Sequence, residues 1–145
     1  LSDAENNRPK LSGMIDGSRF DDFRDLDDFF GGVFEVLTST GKYFWIPMET
    51  IEEASFFPPT RPLDAAWTSV ELTLKGGTSG VIYTPSIYPM NNRETSDEDL
   101  LLGRKTEWDE DKYGIVRGEG LKSFLVGDSS KTIHEIKSLV FETFQ

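Results

Sequence analysis

One stretch restricts the fold more than any other: SVELTLKGGTSGVIYT, residues 69–84. Val70, Leu72 and Leu74 alternate with Ser69, Glu71 and Thr73. A period of two is the mark of a strand with one buried face. The pattern runs into a glycine pair and resumes at Val81 and Tyr83, as a β-hairpin does. With Gly76 and Gly77 as a two-residue turn, Lys75 pairs with Thr78, Leu72 faces Val81, and Val70 faces Tyr83. All four apolar side chains then share one face, and a slip of one residue would send Val81 and Tyr83 to the other.

Shorter segments extend this sheet. IDGS carries Asp16-Gly17, a strong hairpin signal, and predicts two short strands around it. GKYFWIP is aromatic enough for a buried strand, ended by Pro47. METIEEASFFPP fits either a helical turn or a strand. IVRGEG and LKSFLV read as strands with Gly-rich turns. Residues 131–141 fit both periods, and the β-branched residues near their ends favour a strand. Residues 85–114 are polar and irregular, and long loops in compact domains often carry function.

The exception is FRDLDDFFGGVFEVL, residues 23–37. Leu26, Phe29, Phe30, Val33, Phe34 and Leu37 recur at helical spacing. Asp25 sits where an N-cap belongs, with Asp28 three residues on, and Asp27 shares the first turn. The glycines Gly31 and Gly32 oppose a helix by about 1 kcal/mol each, which the Phe stripe has to offset by packing. The expected architecture is α+β: a curved, mostly antiparallel, barrel-like sheet with one main helix near the N-terminus, residues 25–37.

Composition narrows the chemistry. The 145 residues suit one domain, and 37% apolar with 12% aromatic residues is a globular composition. No apolar run approaches the roughly 18 residues of a membrane span. Cysteine is absent, which removes disulfides and thiolate metal sites. A net charge of −11 disfavours nucleic acid and anionic membrane as partners. The cluster Asp21, Asp22, Asp25, Asp27 and Asp28 lacks the spacing of a calcium loop, because Leu26 or Phe30 stands where the glycine belongs. Capping explains its spacing better than catalysis does. His134 is the only histidine, so a zinc site would need carboxylates for its other ligands. KGGTSG and GEGLKSF lack the rest of any nucleotide fingerprint. Trp45 in its apolar strand reads as core, while Trp108 in a polar setting fits core or interface equally. Arg24, Arg104 and Arg117 stand in turn-like segments, where an arginine paired with an aspartate pins a loop to the core.

Taken in combination, GSRFDDFRDLDD, VFEVLTSTGKYFWIP, LDAAWTSVELTLKGGTSGVIYTPSIYP, LLLGRKTEWDED and VRGEG closely resemble the C-terminal domain of the ImpE/SciE-type (TagJ) proteins. These are accessory proteins of bacterial type VI secretion. The resemblance runs from about residue 11 to residue 141. The matching positions are Arg24, Asp25, Asp28, Trp45, Pro47, Trp67, Tyr88, Pro89, Gly103, Arg104 and Trp108. Gly31-Gly32 and Ala65-Ala66 are smaller than the family usually carries there.

The resemblance implies a fragment: residues 1–10 as a linker remnant and 11–145 as a single C-terminal domain, without the family's helical N-terminal half. It also implies a non-enzymatic cytoplasmic adaptor without cofactor or metal. Its partners are protein partners: the N-terminal helix of the contractile sheath small subunit and the AAA+ ATPase that recycles sheath. Two other readings remain from the residues themselves. One is a metal-dependent hydrolase using the Asp21–Asp28 carboxylates with Arg104 or His134. The other is a structural platform that binds nothing.

Overall fold

A computed structural model describes residues 10–60, 62, 66–89 and 97–142. The expectations for residues 1–9, for the loop at 91–96 and for Ala65 lie outside the described residues. The described chain is built from short strands: β1 (Gly13–Ile15), β2 (Ser18–Phe20), β3 (Phe23–Asp25), β4 (Val33–Leu37), β5 (Tyr43–Pro47), β6 (Ile51–Phe56), β7 (Trp67–Leu74), β8 (Ser79–Pro85), β9 (Thr106–Glu110), β10 (Val116–Gly120), β11 (Ser123–Val126), β12 (Ser129–Thr132) and β13 (Ser138–Phe141). One α-helical turn, α1 (Glu98–Leu101), lies between β8 and β9.

Eight strands form an antiparallel sheet in the order β2-β1-β13-β6-β7-β8-β4-β5. A three-stranded sheet, β12-β11-β3, and a two-stranded ribbon, β10-β9, complete the frame. Ile15, Leu139, Ala54, Phe56, Val70, Leu72, Phe34, Val36 and Ile46 form the inner face of the large sheet. The small sheet adds Phe23, Phe124 and Val126 to the same core. Phe23 is fully buried, with ring centroids 5.3 Å from Phe124, 5.6 Å from Phe141, 5.7 Å from Phe20 and 6.5 Å from Phe34. Aromatic packing of this kind joins the two sheets.

The α+β expectation is therefore overturned. The described fold is mostly sheet, its large sheet is open at β2 and β5 rather than closed as a barrel, and the one α-helical turn among the described residues is remote from the N-terminus. Where one main helix was expected, β3 is followed by a turn and then β4. The aspartates accept backbone N–H groups, but in Asx turns: Asp27 N–H donates to Asp25 Oδ1 at 2.9 Å and Phe29 N–H to Asp27 Oδ1 at 2.8 Å. The chain doubles back so that Asp25 N–H reaches the Gly31 carbonyl at 3.0 Å. The glycine pair lies in this turn and not inside a helix, so its helix penalty never arises. In β4 the period is two: Phe34 and Val36 face the core and Glu35 the opposite side.

The β7–β8 hairpin forms, but in the other register. Val70 pairs with Ile82, Leu72 with Gly80 and Glu71 with Val81. Lys75 N–H is taken by the Thr50 carbonyl at 2.9 Å, so it cannot pair with Thr78. Leu74 N–H bonds Thr78 instead, at 2.8 Å, across a three-residue loop. That one extra loop residue turns Val81 outward, where it is 51% exposed.

The Asp16-Gly17 hairpin forms as read, with both residues at positive φ (49° and 87°), as a two-residue type I′ loop requires. METIEEASFF resolves into both alternatives, a 3-10 turn at Met48–Thr50 and then β6. Residues 131–141 divide into the end of β12, a 3-10 turn at Ile133–Glu135, and β13.

Candidate functional site

The residues with most chemical potential gather beside β4, on the side away from the apolar core. Glu35 is 6% exposed and accepts a hydrogen bond from Lys122 Nζ at 3.2 Å. Lys122 is 1% exposed, and its ammonium lies 5.0 Å from the Phe30 ring centroid and 5.9 Å from that of Tyr88. The other Glu35 oxygen accepts from the Tyr43 hydroxyl, which in turn accepts from Trp45 Nε1 at 2.8 Å. Burial and the Glu35 hydrogen bond push the Tyr43 phenol up.

The turn after β3 adds three carboxylates. Asp25, buried, accepts from the Tyr88 hydroxyl at 2.6 Å, and that hydroxyl accepts from Ser123 N–H at 3.0 Å. Burial raises the Asp25 carboxyl to about 6, against the opposing pull of Lys122 and Tyr88. Tyr88 is raised above the usual phenol range, first by burial and then by the Asp25 charge. Asp27 is fully buried; both its oxygens accept from Arg117 Nε at 3.1 Å, and one also takes Gly118 N–H at 2.8 Å. Asp28 bonds Arg24 Nη2 at 2.8 Å and Val116 N–H at 2.7 Å. Arg24 Nε donates to the Asp25 carbonyl at 2.7 Å. The two arginines thus bind the turn to itself and to the start of β10.

Two aromatic surfaces flank this network. On one, Phe29 is 57% exposed, with its ring 5.4 Å from Trp45 and the Arg117 guanidinium 4.8 Å above it. On the other, Trp108 (43% exposed) meets the Tyr88 ring edge-on at 5.9 Å. Gly118 permits this contact, because a Cβ there would stand 2.5 Å from Tyr88 and 2.9 Å from Trp108.

Of the eleven family-motif positions, Arg24, Asp25, Asp28 and Tyr88 meet inside the network, and Trp45 and Trp108 pack against its two sides. Trp45 is exposed on edge strand β5, not in the core its sequence suggested. Pro47 ends β5, and half-buried Trp67 begins β7. Gly103, at φ 68°, follows α1, and Pro89 is exposed. Arg104 is an exposed residue 3.6 Å from Asp99. His134 sits in the 3-10 turn between β12 and β13.

Sequence reasoning missed Lys122, Glu35 and Tyr43. A lysine inside LKSFLV and a glutamate inside VFEVL looked like the solvent-facing members of their strands. The available signal was a pair of opposite charges, each enclosed in an apolar run.

Chemically, three of the four carboxylates are fully engaged. Both oxygens of Asp27, of Asp28 and of Glu35 are engaged by cations, backbone N–H groups or a hydroxyl. Among the described residues no group of three or more His, Asp or Glu is placed to share a metal ion. What the site presents outward is aromatic.

Comparison with known proteins bears on what that surface serves. The model of the family described as ImpE protein matches residues 17–140. The type VI secretion system accessory component TagJ of Pseudomonas aeruginosa is 31% identical over 134 residues, covering 92% of this chain and 46% of that protein. The crystal structure of protein VPA1032 from Vibrio parahaemolyticus superposes with a TM-score of 0.88 at 28% identity, covering 99% of this chain and 53% of that one. The chain thus spans about half the length of these relatives.

Proposed function

The chain belongs to the ImpE family, and from that premise we propose that it is a module of a bacterial type VI secretion accessory protein that binds protein partners and catalyses nothing. The observation that carries this reading is the contrast at the site. Its charged groups are buried or half-buried and paired with one another, with backbone N–H groups or with hydroxyls, while Phe29, Trp45 and Trp108 stand exposed around them. Exposed tryptophan held by a rigid underlayer suits a binding anchor. Reactive groups held for catalysis would face a cleft. The likeness to TagJ over 92% of the chain supplies the apparatus.

The partner we assign is the N-terminal amphipathic helix of the contractile sheath small subunit, with the AAA+ recycling ATPase as its second associate. The setting is the bacterial cytoplasm, and no described helix is long and apolar enough to cross a membrane. A helix would lay its apolar face against Trp108, Leu101 and Leu102, which are 43%, 44% and 49% exposed.

Calorimetric titration of the chain with that sheath helix at moderate salt tests the assignment. A saturable isotherm, lost in Trp108→Ala and retained in Arg104→Ala, is the expected result. A flat trace from folded protein would remove the sheath contact from this domain and leave it a structural platform.

A further inference from the structure

The two open edges of the large sheet differ. β2 is three residues long, and its central residue, Arg19, is paired with Glu142. β5 reads Tyr-Phe-Trp-Ile-Pro without a charge. Uncharged, aromatic strand edges pair with other strands unless something blunts them.

The β4–β5 ladder identifies which backbone groups are free. Thr38 N–H donates to the Lys42 carbonyl at 2.8 Å, and Met48 N–H to the Gly32 carbonyl at 2.9 Å. Bonded pairs in an antiparallel ladder recur at every second residue. Phe44, opposite Val36, and Ile46, opposite Phe34, therefore turn their backbone groups towards β4. Tyr43 and Trp45 turn theirs off the edge. Pro47 has no N–H, and its carbonyl accepts from Thr50 Oγ1 at 2.7 Å, which ends the free edge. Among the described residues, two N–H and two C=O groups of this edge remain without a strand partner, placed symmetrically about Phe44.

This pattern is self-complementary, and we infer that β5 is the seam of a two-fold dimer of this chain. In the antiparallel register that sets Phe44 against Phe44 of a second copy, Tyr43 of each copy faces Trp45 of the other. All four free groups then bond across the axis. Tyr43 and Trp45 make aromatic cross-strand pairs on one side of the joined sheet, and the two Phe44 rings meet on the other. Charge fits this occupant as well. The seam carries none of the chain's −11. Exposed Lys42 of each copy lies opposite Ile46 of the other, towards the strand end from which exposed Glu49 projects. Two reciprocal Lys–Glu attractions therefore close the ends.

Sedimentation of the whole chain over a concentration series, with amide exchange on the same samples, tests this. The expected result is a reversible monomer–dimer equilibrium in which the Tyr43 and Trp45 amides slow by about tenfold or more as dimer accumulates. The Phe44 and Ile46 amides, already bonded to β4, stay unchanged. Phe44→Lys and Phe44→Glu each weaken dimerisation by about tenfold or more through like charge at the axis, and mixing the two restores it. A wild-type monomer at the highest soluble concentration, with fast Tyr43 and Trp45 exchange, overturns the inference. So does a dimer indifferent to both substitutions. A monomer whose Tyr43 and Trp45 amides are protected only on adding a sheath-derived peptide overturns it in favour of a partner strand.

Discussion

β4 divides two regions of the interior built on opposite principles. Phe34 and Val36 point into a cluster of aliphatic and aromatic side chains. Glu35, between them, points into a region of buried charge: Lys122, Asp25, Asp27 and Arg24. All seven side chains are less than 9% exposed, so burial does not separate the regions. Their response to loss does. An apolar core loses stability in proportion to the volume removed and recovers part of it by relaxation. A buried ionic network is tolerable only when complete, because each remaining member keeps its desolvation penalty.

Lys122→Ala is the most direct way to break this comparison. It leaves the Glu35 carboxylate enclosed without its cation and takes from Asp25 a favourable charge. A loss of about 3–5 kcal/mol is expected from chemical denaturation. Phe34→Leu, a modest change across the same strand, should cost less than about 1.5 kcal/mol. Equal losses from the two would show that the ionic region yields as gradually as the apolar one.

Asp25 gives the next largest effect, and it depends on pH. Its carboxyl is raised from 3.8 to about 6 in the folded chain, chiefly by burial. Below pH 3.8 it is protonated in both folded and unfolded states and opposes nothing. Between pH 4 and 6 the unfolded chain gives up the proton first. Stability from this group is therefore lost as pH rises, by about 2–3 kcal/mol at pH 7. Asp25→Asn keeps an acceptor for Tyr88 and removes the charge. Urea midpoints from pH 4 to 7.5 should show the variant gaining on the wild type as pH rises. A constant difference would mean that Lys122 and Tyr88 fully compensate the burial.

The apolar region was far more legible in the sequence than the ionic one, and β3–β4 shows why. Asp16-Gly17 specifies its turn locally, because both residues must take positive φ, and it formed as read. The stripe Leu26, Phe29, Phe30, Val33, Phe34 and Leu37 mimicked a helix because a turn joined to a strand can reproduce helical spacing over so short a run. Gly31-Gly32 was the contrary signal. The aspartates were read for the right chemistry in the wrong frame: they accept backbone N–H groups, but in turns. Arg117 on Asp27 and Arg24 on Asp28 do pin the loop, as arginines beside glycine and aspartate suggested. Lys122 with Glu35 stayed hidden, since their pairing spans 87 residues and neither local pattern reports it.

Gly118→Ala sharpens the boundary between the network and its aromatic cover. The new methyl crowds both the Tyr88 and the Trp108 ring, Tyr88 the more closely, at a cost of about 1–3 kcal/mol. Displacement of Tyr88 disturbs its bond to Asp25, while displacement of Trp108 disturbs the proposed binding surface alone. Trp108 emission read beside the pH dependence of stability separates the two. A change in both readouts is expected, because the methyl would stand 2.5 Å from Tyr88 and 2.9 Å from Trp108, so outward movement of Trp108 alone does not relieve the contact with Tyr88. An intact Asp25 pH profile would show that the backbone of β10 gives way instead.

The smallest effect tests the apolar region where the sequence was most persuasive. Alternation alone places Val81 opposite Leu72 in the core, and a threonine there would bury a hydroxyl at a cost of more than about 1 kcal/mol. In the folded hairpin Lys75 N–H is held by Thr50, the loop takes a third residue, and Ile82 replaces Val81 on the inner face. Val81→Thr should then change stability by less than about 0.5 kcal/mol, as surface substitutions do, while Ile82→Thr costs more than about 1 kcal/mol. Reversal of that order would restore the two-residue turn. It would also mean that side-chain pattern outweighs the single backbone hydrogen bond from Lys75 in setting the register.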